Sequence, residues 1–288
     1  MRLERSCKHL DKIENIGVIL RPQSPELKNV YFKIEAMFLE KNINLILEEN
    51  SANMIEKQGI DFDTLCKKVD FLISIGGDGT LLGLARKAFK YDLPVLGINL
   101  GTLGFLTDLS MEQLPKFIDD LLKDDYKINP RMIIEGQIKD KKFIAFNDIV
   151  ISRKNLSTML EVRAKIDKKA FNTYFGDGLI VSTPSGSTAY NLSVGGPIVY
   201  PLTNAFIITP IAPHSLTQRP IVVPADFEIE FKVTKNTGAV VIIDGQELYD
   251  LNKDEIIKIK IATKKSKMLH RSSRDFFEVL SEKLRWGN

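Results

Sequence analysis

An α/β N-terminal domain followed by a β-sandwich-like C-terminal domain, with a last helix packing back on the first domain, is the fold class this sequence predicts. Three observations carry the expectation. Up to residue 125, short apolar runs alternate with helical patterns, which implies βαβ units around a parallel sheet. From 126 to 271, strand-like runs follow one another with turn residues between them, which suggests a sandwich. From Ser272 a helical stripe returns, and nothing near it in sequence offers a partner. The expected domains are 1–125, completed by 272–288, and 126–271.

In chain order, IGVIL at 16–20 reads as the first strand. Ser24-Pro25 looks like a helix start, serine as cap and proline first in the helix, with Val30, Ile34, Met37 and Phe38 as its stripe. Residues 43–47 give a second strand, and 62–68 a short helix. FLISI at 71–75 is a buried strand, as is PVLGIN at 94–99. Ser110 and Gln113 are spaced as a capping box for a helix over 110–123. The second half reads as strands at 131–139, 142–152, 160–166, 205–209, 228–234, 239–243 and 255–262. In the tail, Phe276, Phe277, Val279, Leu280 and Leu284 share a helix face.

The chain is organised around residues 71–89. There an apolar strand runs through Gly76-Gly77-Asp78-Gly79-Thr80 into a helical pattern. Strand, glycine turn and helix set backbone N–H groups around a phosphate at a helix N-terminus. Asp78 is unusual there, because a carboxylate repels a bare phosphate. It suits the turn if it holds a phosphate-bridging metal or accepts a proton from an attacking hydroxyl; otherwise Gly-Asp-Gly supplies only permissive backbone. A second glycine turn, Gly101-Thr102-Leu103-Gly104-Phe105, follows the 94–99 strand. Both turns fall where strands end, the place where parallel sheets bind ligands. The G-x-G-x-x-G and Walker A patterns are absent.

Composition excludes several classes. With 40 basic and 37 acidic residues, the net charge of +3 gives no footprint for nucleic acid. KKSK at 264–267 reads as a solvated loop. Cys7 and Cys66 are too few for a disulfide framework and are expected as reduced thiols. His9, His214 and His270 match no metal-ligand spacing; His214, between prolines, reads as a structural or rim residue. The N-terminus lacks an apolar signal core and no run reaches membrane-span length, so no membrane and a cytoplasmic location are expected.

In the second half, Asn147 and Asp148 interrupt an apolar strand, so they are either at an exposed edge or held by a ligand; a strand end with a bulge is the structural alternative. GDGLIVSTPSGSTAYNLS at 176–193 follows a strand with a turn dense in hydroxyls. Such groups suit phosphate or ribose oxygens, and Tyr190 can stack on a flat base. A polar loop into a short helix capped by Ser187 or Thr188 reads equally well. GGPIVYP at 195–201 reads as a turn–strand junction, and Asp244-Gly245-Gln246 as a hairpin turn.

GGDGT, GINLGTLGFLTD, FND, TPSGSTAY within its longer run, APHSL, RPIV, DGQ and FFEVLSEKLRWG occur in the order seen in the bacterial and archaeal NAD kinases, which the chain resembles from about 16 to 287. GGDGT alone is shared with lipid kinases and phosphofructokinase-like enzymes; its combination with TPSGSTAY is far more specific. The resemblance implies ATP- and divalent-metal-dependent phosphorylation, with Mg²⁺ expected, of the 2′-hydroxyl of the adenosine ribose of NAD. The product is NADP. It implies Asp78 as the base near that hydroxyl with Gly79 beside it, and Asn147 and Asp148 on the substrate ribose. The family has Asn-Glu where this chain has Asn147-Asp148. Phe105, Thr188, Ala189, Tyr190, Asn191 and Ser193 would surround the adenine end. Asp177 and Ala212 look like nicotinamide-side contacts, and Gln246 matches a weaker binding position. Gly76, Gly77 and Thr80 are expected on ATP. The family forms dimers and tetramers, so a homodimer or homotetramer is expected. Two rival readings are a lipid kinase, which would need an apolar channel or membrane-facing patch, and a dinucleotide sensor without catalysis, which would have no need of Asp78.

Overall fold

The structure is a computed structural model, and it describes residues 9–101, 104–107, 109–155, 158–234 and 238–286. Cys7 and the Thr102-Leu103 part of the second glycine turn lie outside the described residues. The chain divides into two compact units. One runs to Pro130 and resumes at Ser266; the other spans Arg131–Lys265.

In the first unit, β1 (Asn15–Leu20), α1 (Lys28–Leu39), β2 (Asn44–Leu47), α2 (Glu49–Met54), α3 (Phe62–Leu65), β3 (Phe71–Ile75), α4 (Asp78–Ala88), β4 (Val95–Asn99), β5 (Leu109–Ser110), α5 (Leu114–Leu121) and β6 (Tyr126–Arg131) follow in order. The second unit holds β7 (Ile134–Ile138), β8 (Lys141–Ala145), β9 (Asp148–Arg153), β10 (Leu160–Ile166), β11 (Lys169–Gly176), β12 (Gly178–Ser182), α6 (Tyr190–Ser193), β13 (Ala205–Ile211), β14 (Ile221–Pro224), β15 (Ile229–Val233), β16 (Ala239–Ile243), β17 (Glu247–Leu251) and β18 (Ile256–Ile261). The chain then returns to the first unit with β19 (Ser266–Arg271) and α7 (Phe276–Leu284).

The first sheet has the order β2-β1-β3-β4-β19-β6, with β5 also on β4. The β1–β2, β1–β3, β3–β4, β4–β5 and β4–β19 pairs are all parallel. All five residues of β3 and of β4 are buried, as strands covered on both faces require. Leu27, Tyr31, Ile34 and Phe38 form the buried line of α1 and its approach. The α/β expectation therefore holds. The second unit stacks two six-stranded sheets, β11-β10-β15-β18-β7-β8 and β14-β13-β12-β9-β16-β17. Alternate residues of both, among them Val162, Phe231, Ile259, Ile151, Val181 and Val241, form one core. The sandwich-like expectation holds too.

Several local expectations are corrected. Ser24 and Pro25 do stand at the cap and first positions of a helical turn, but the turn is a 3-10 one, Pro25–Leu27, that leads into α1, and the Ser24 hydroxyl makes no cap bond: it accepts Arg21 Nε (2.7 Å) and donates to the Pro22 carbonyl. Gln113 Oε1 does accept the Ser110 N–H (3.2 Å), but α5 begins only at Leu114, since Ser110 is held in β5 beside Asn99. The 131–139 run splits between β6 and β7. The 142–152 run splits between β8 and β9, which lie in different sheets. Only Lys264 and Lys265 of KKSK are loop; Ser266 is buried at the start of β19. No strand forms at 195–201. On α7, Val279 and Leu280 are buried, whereas Phe277, beside Leu280 on the helix surface, is 64% exposed.

Candidate active site

The carboxyl ends of β3 and β4 carry the two glycine turns, as expected. After Ile75 the chain bends at Gly76 and enters α4 with Gly77 as an N-cap that offers no side-chain bond. A Cβ on Gly77 or Gly79 would meet nothing within 4 Å, whereas one on Gly76 would stand 2.6 Å from Thr80 Oγ1. Gly77 and Gly79 thus border open space at a helix N-terminus, where partial positive charge and N–H groups favour an anion. Gly76 and Thr80 pack on each other.

Asp78 is half-buried, and its carboxylate faces the segment after β4. Oδ2 accepts the N–H groups of Phe105 (2.8 Å) and Leu106 (3.2 Å); Oδ1 accepts the N–H (2.9 Å) and hydroxyl (2.8 Å) of Thr107. The Thr107 oxygen also accepts Asn99 Nδ2 and Gly104 N–H, both at 3.1 Å. Only glycine fits at 104, since a Cβ there would lie 1.8 Å from Asp78 Oδ1. From the other side, Arg274 donates to the carbonyls of Phe105 and Leu106.

The second unit holds the remaining predicted residues. β8 and β9 meet in a corner at Phe146-Asn147. Asp244 braces it: Oδ2 accepts Phe146 N–H (2.8 Å), and Oδ1 accepts Asn147 N–H (2.7 Å) and Asp148 N–H (3.0 Å). Asp244 and Gly245 have φ of 51° and 66°, and Gln246 N–H closes on the Ile243 carbonyl at 2.9 Å; the hairpin turn read from the sequence is present, and it is of type I′. Asp148 is 4% exposed, and burial, then the charge of Asp244, pushes its carboxyl up to about 7. Next to it, Asn147 Oδ1 and Ser185 Oγ are buried without hydrogen-bond partners. Gly186 lets this segment close on the corner, since its Cβ would stand 2.2 Å from the Asn147 carbonyl oxygen.

Other predicted residues separate by environment. Asn191 is fully buried and committed internally: Nδ2 donates to the Ser187 and Pro197 carbonyls, and Oδ1 accepts the Thr209 hydroxyl at 2.6 Å. Ala189 is the residue ahead of α6, Thr188 Oγ1 reaches the Ser185 carbonyl at 3.4 Å, and Tyr190 and Ser193 are exposed. Ser187 does not cap α6; its hydroxyl donates to the Pro184 carbonyl. Asp177 pairs with Arg153 at 3.0 Å and lies beside the β13 end, where Ala212 takes a left-handed φ of 42°. Gln246 and His214 are exposed. A groove of about 660 Å³ crosses β7, β8, β15 and β18, but it is lined by residues such as Glu135, Lys142 and Lys258 and contains none of these groups.

Sequence reasoning missed Asp244 as a site residue. Its signal was an aspartate at a hairpin turn that glycine alone could have made. Arg274 gave no signal.

Residues 16–126 match the model of the ATP-NAD kinase N-terminal domain, and residues 146–271 that of the ATP-NAD kinase C-terminal domain. The chain belongs to the NAD kinase family. A curated NAD kinase of Sulfurimonas denitrificans is 48% identical over 279 residues, covering 96% of this chain and 98% of that one. The NAD kinase of Wolinella succinogenes is 43% identical over 97% of this chain and 98% of its own. Among solved structures, yeast NADH kinase complexed with NADH superposes with a TM-score of 0.87 at 25% identity, over 96% of this chain and 89% of that one. An NAD kinase from Archaeoglobus fulgidus in complex with ATP gives 0.73 at 27% identity, over 94% and 98%. The NAD kinase fold thus extends over both units, and the family is one of phosphotransferases. No helix among the described residues is long and apolar enough to cross a membrane.

Proposed function

We propose that the chain transfers the γ-phosphoryl group of ATP to the 2′-hydroxyl of the adenosine ribose of NAD, releasing ADP and NADP. The observation that carries this reading is the ordered match of both halves to the two NAD kinase domain models. Phosphoryl transfer asks mainly for positioning and charge neutralisation. Gly76, Gly77 and Thr80 form the phosphate turn, with the open side at Gly77 and Gly79 receiving the triphosphate. Asp78 takes the proton of the attacking hydroxyl. Its carboxylate already accepts four bonds, so the substrate hydroxyl must displace one donor. Only the Thr107 hydroxyl can swing away by rotation; the other three are backbone N–H groups. Asn147, Asp148 and the Ser185 hydroxyl hold ribose hydroxyls, with Asp148 as a donor while protonated. Thr188, Ala189, Tyr190 and Ser193 face the adenine end, with Asn191 bracing their helix. Asp177 and Ala212 serve the nicotinamide side, and Gln246 a more peripheral contact.

The chain's side chains do not build a cage for a resident divalent ion: no three acid, histidine or cysteine groups gather among the described residues, and Asp78 has its acceptor sites filled. The ion belongs to the substrate, as Mg²⁺ on the triphosphate. We place the enzyme in the cytoplasm as a homodimer or homotetramer.

Incubation with NAD, ATP and Mg²⁺ should yield NADP. Saturable NAD binding without product would make the chain a sensor. The Asp78→Asn variant should turn over about 10²–10⁴-fold more slowly, the usual scale for a lost general base, with NAD affinity little changed. Near wild-type turnover would remove Asp78 from this role.

A further inference from the structure

Arg274 lies in the short link between β19 and α7. Its backbone is fixed on both sides: its N–H closes a turn on the Arg271 carbonyl (3.1 Å), and the next residue, Asp275, caps α7 through the N–H groups of Phe277 (2.7 Å) and Glu278 (3.1 Å). From this anchored position the half-buried guanidinium reaches the 104–107 segment. Nη2 donates to the Phe105 carbonyl, and Nη1 makes a longer contact of 3.5 Å with the Leu106 carbonyl.

These two carbonyls belong to the same peptide units whose N–H groups Asp78 holds. The Phe105 carbonyl shares a plane with Leu106 N–H, and the Leu106 carbonyl with Thr107 N–H. In a trans peptide the two groups point opposite ways, and no cis bond occurs among the described residues. Two successive peptide planes are therefore gripped along both edges, by a carboxylate on the N–H side and a guanidinium on the carbonyl side. Rotating either plane breaks a bond on each edge. A cation on a carbonyl oxygen also polarises the peptide, which strengthens its N–H as a donor to Asp78.

We propose that Arg274 is a positioning residue for the phosphate turn: by fixing the carbonyl edges of the 105–106 and 106–107 peptides, it aims their N–H groups at Asp78 and so sets where that carboxylate points. The proposal rests on the reading of Asp78 as proton acceptor. A planar fork spans two neighbouring carbonyls, whereas a lysine ammonium is a single point charge and reaches one.

The test uses the full chain with Arg274→Ala and Arg274→Lys. A misplacement near 1 Å costs about 10²-fold in rate, so kcat of the alanine variant should fall on the order of 30–100-fold with KM for ATP and NAD nearly unchanged. The lysine variant should recover part of the loss. Guanidinium ion added below denaturing concentrations should raise turnover of Arg274→Ala and leave Asp78→Asn unaffected. Amide hydrogen exchange at Leu106 and Thr107 should quicken in both Arg274 variants, and it can be read without any activity. If the alanine variant does not fold, the lysine variant carries the same measurements. Wild-type kcat in a variant overturns the proposal, as does unchanged exchange at these amides. So does a raised KM for ATP with kcat preserved, which would make Arg274 a direct phosphate contact. Absence of NADP formation by the wild-type chain would instead sink the proposed function, while exchange still decides on the clamp.

Discussion

Asp78 and Asp148 are the same side chain in opposite surroundings. Asp78 receives four hydrogen bonds. Asp148 is buried, no hydrogen bond from the described residues offsets its desolvation, and it faces the charge of Asp244, so its carboxyl is raised from 3.8 to about 7. The raised value means that the folded chain holds this proton more tightly than the unfolded chain does. The stabilisation is fully present below about pH 4 and is lost as pH rises through about 7. At 1.36 kcal/mol per unit, the loss is on the order of a few kcal/mol. Urea unfolding of the wild type and of Asp148→Asn, compared at pH 5 and pH 8, should show the wild type losing stability relative to the variant. Parallel curves for the two proteins would mean that Asp148 titrates as an ordinary surface acid.

At the scale of elements, the β16–β17 hairpin is bound to the β8–β9 corner through the Asp244 carboxylate. Three N–H donors face its two oxygens. Asparagine tolerates the left-handed turn as well as aspartate does, but its amide nitrogen would face an N–H and leave that donor unpaired. Asp244→Asn should therefore cost about 1–3 kcal/mol and, by removing a like charge, lower the titration of Asp148. Carbonyl-carbon NMR titration of Asp148 reads the second effect; no downward shift would remove Asp244 as its cause. This brace also shows where sequence reading stops. Strands with buried apolar runs, such as β3, β4 and β12, were legible, as was the strand–turn–helix that carries Asp78. The edge strands β11 and β17 were not, because β11 exposes its first four residues, only one residue of β17 is buried, and polar side chains run through both. The β8–β9 break was marked in the sequence only by Asn147 and Asp148 interrupting an apolar run; what holds it, an aspartate 96–98 residues away bonding to backbone N–H groups, was not legible. Arg274 acts on carbonyls 168 and 169 residues away, again on groups that every residue possesses.

For the whole molecule, the return of the chain at Ser266 decides what the first unit is made of. β19 enters the sheet between β4 and β6 and buries Met268, Leu269 and His270. Ending the chain at Lys265 removes an interior strand and leaves two unpaired edges, which no surface residue can compensate. Ending it at Arg271 keeps that strand. It removes Arg274 together with the buried Val279 and Leu280, worth about 1.5–3 kcal/mol each as an upper bound. That sum is within the stability of an ordinary domain. The two truncations should therefore differ in kind. The chain ending at Arg271 should keep slow amide exchange in β1, β3 and β4, with faster exchange at 105–107. The chain ending at Lys265 should lose protection throughout those strands. In both, the sandwich strands should stay protected, because their core, among the described residues, is built from Met132 to Ile261. Retained protection of β3 and β4 after the deeper cut would show that the first sheet closes without its returning strand.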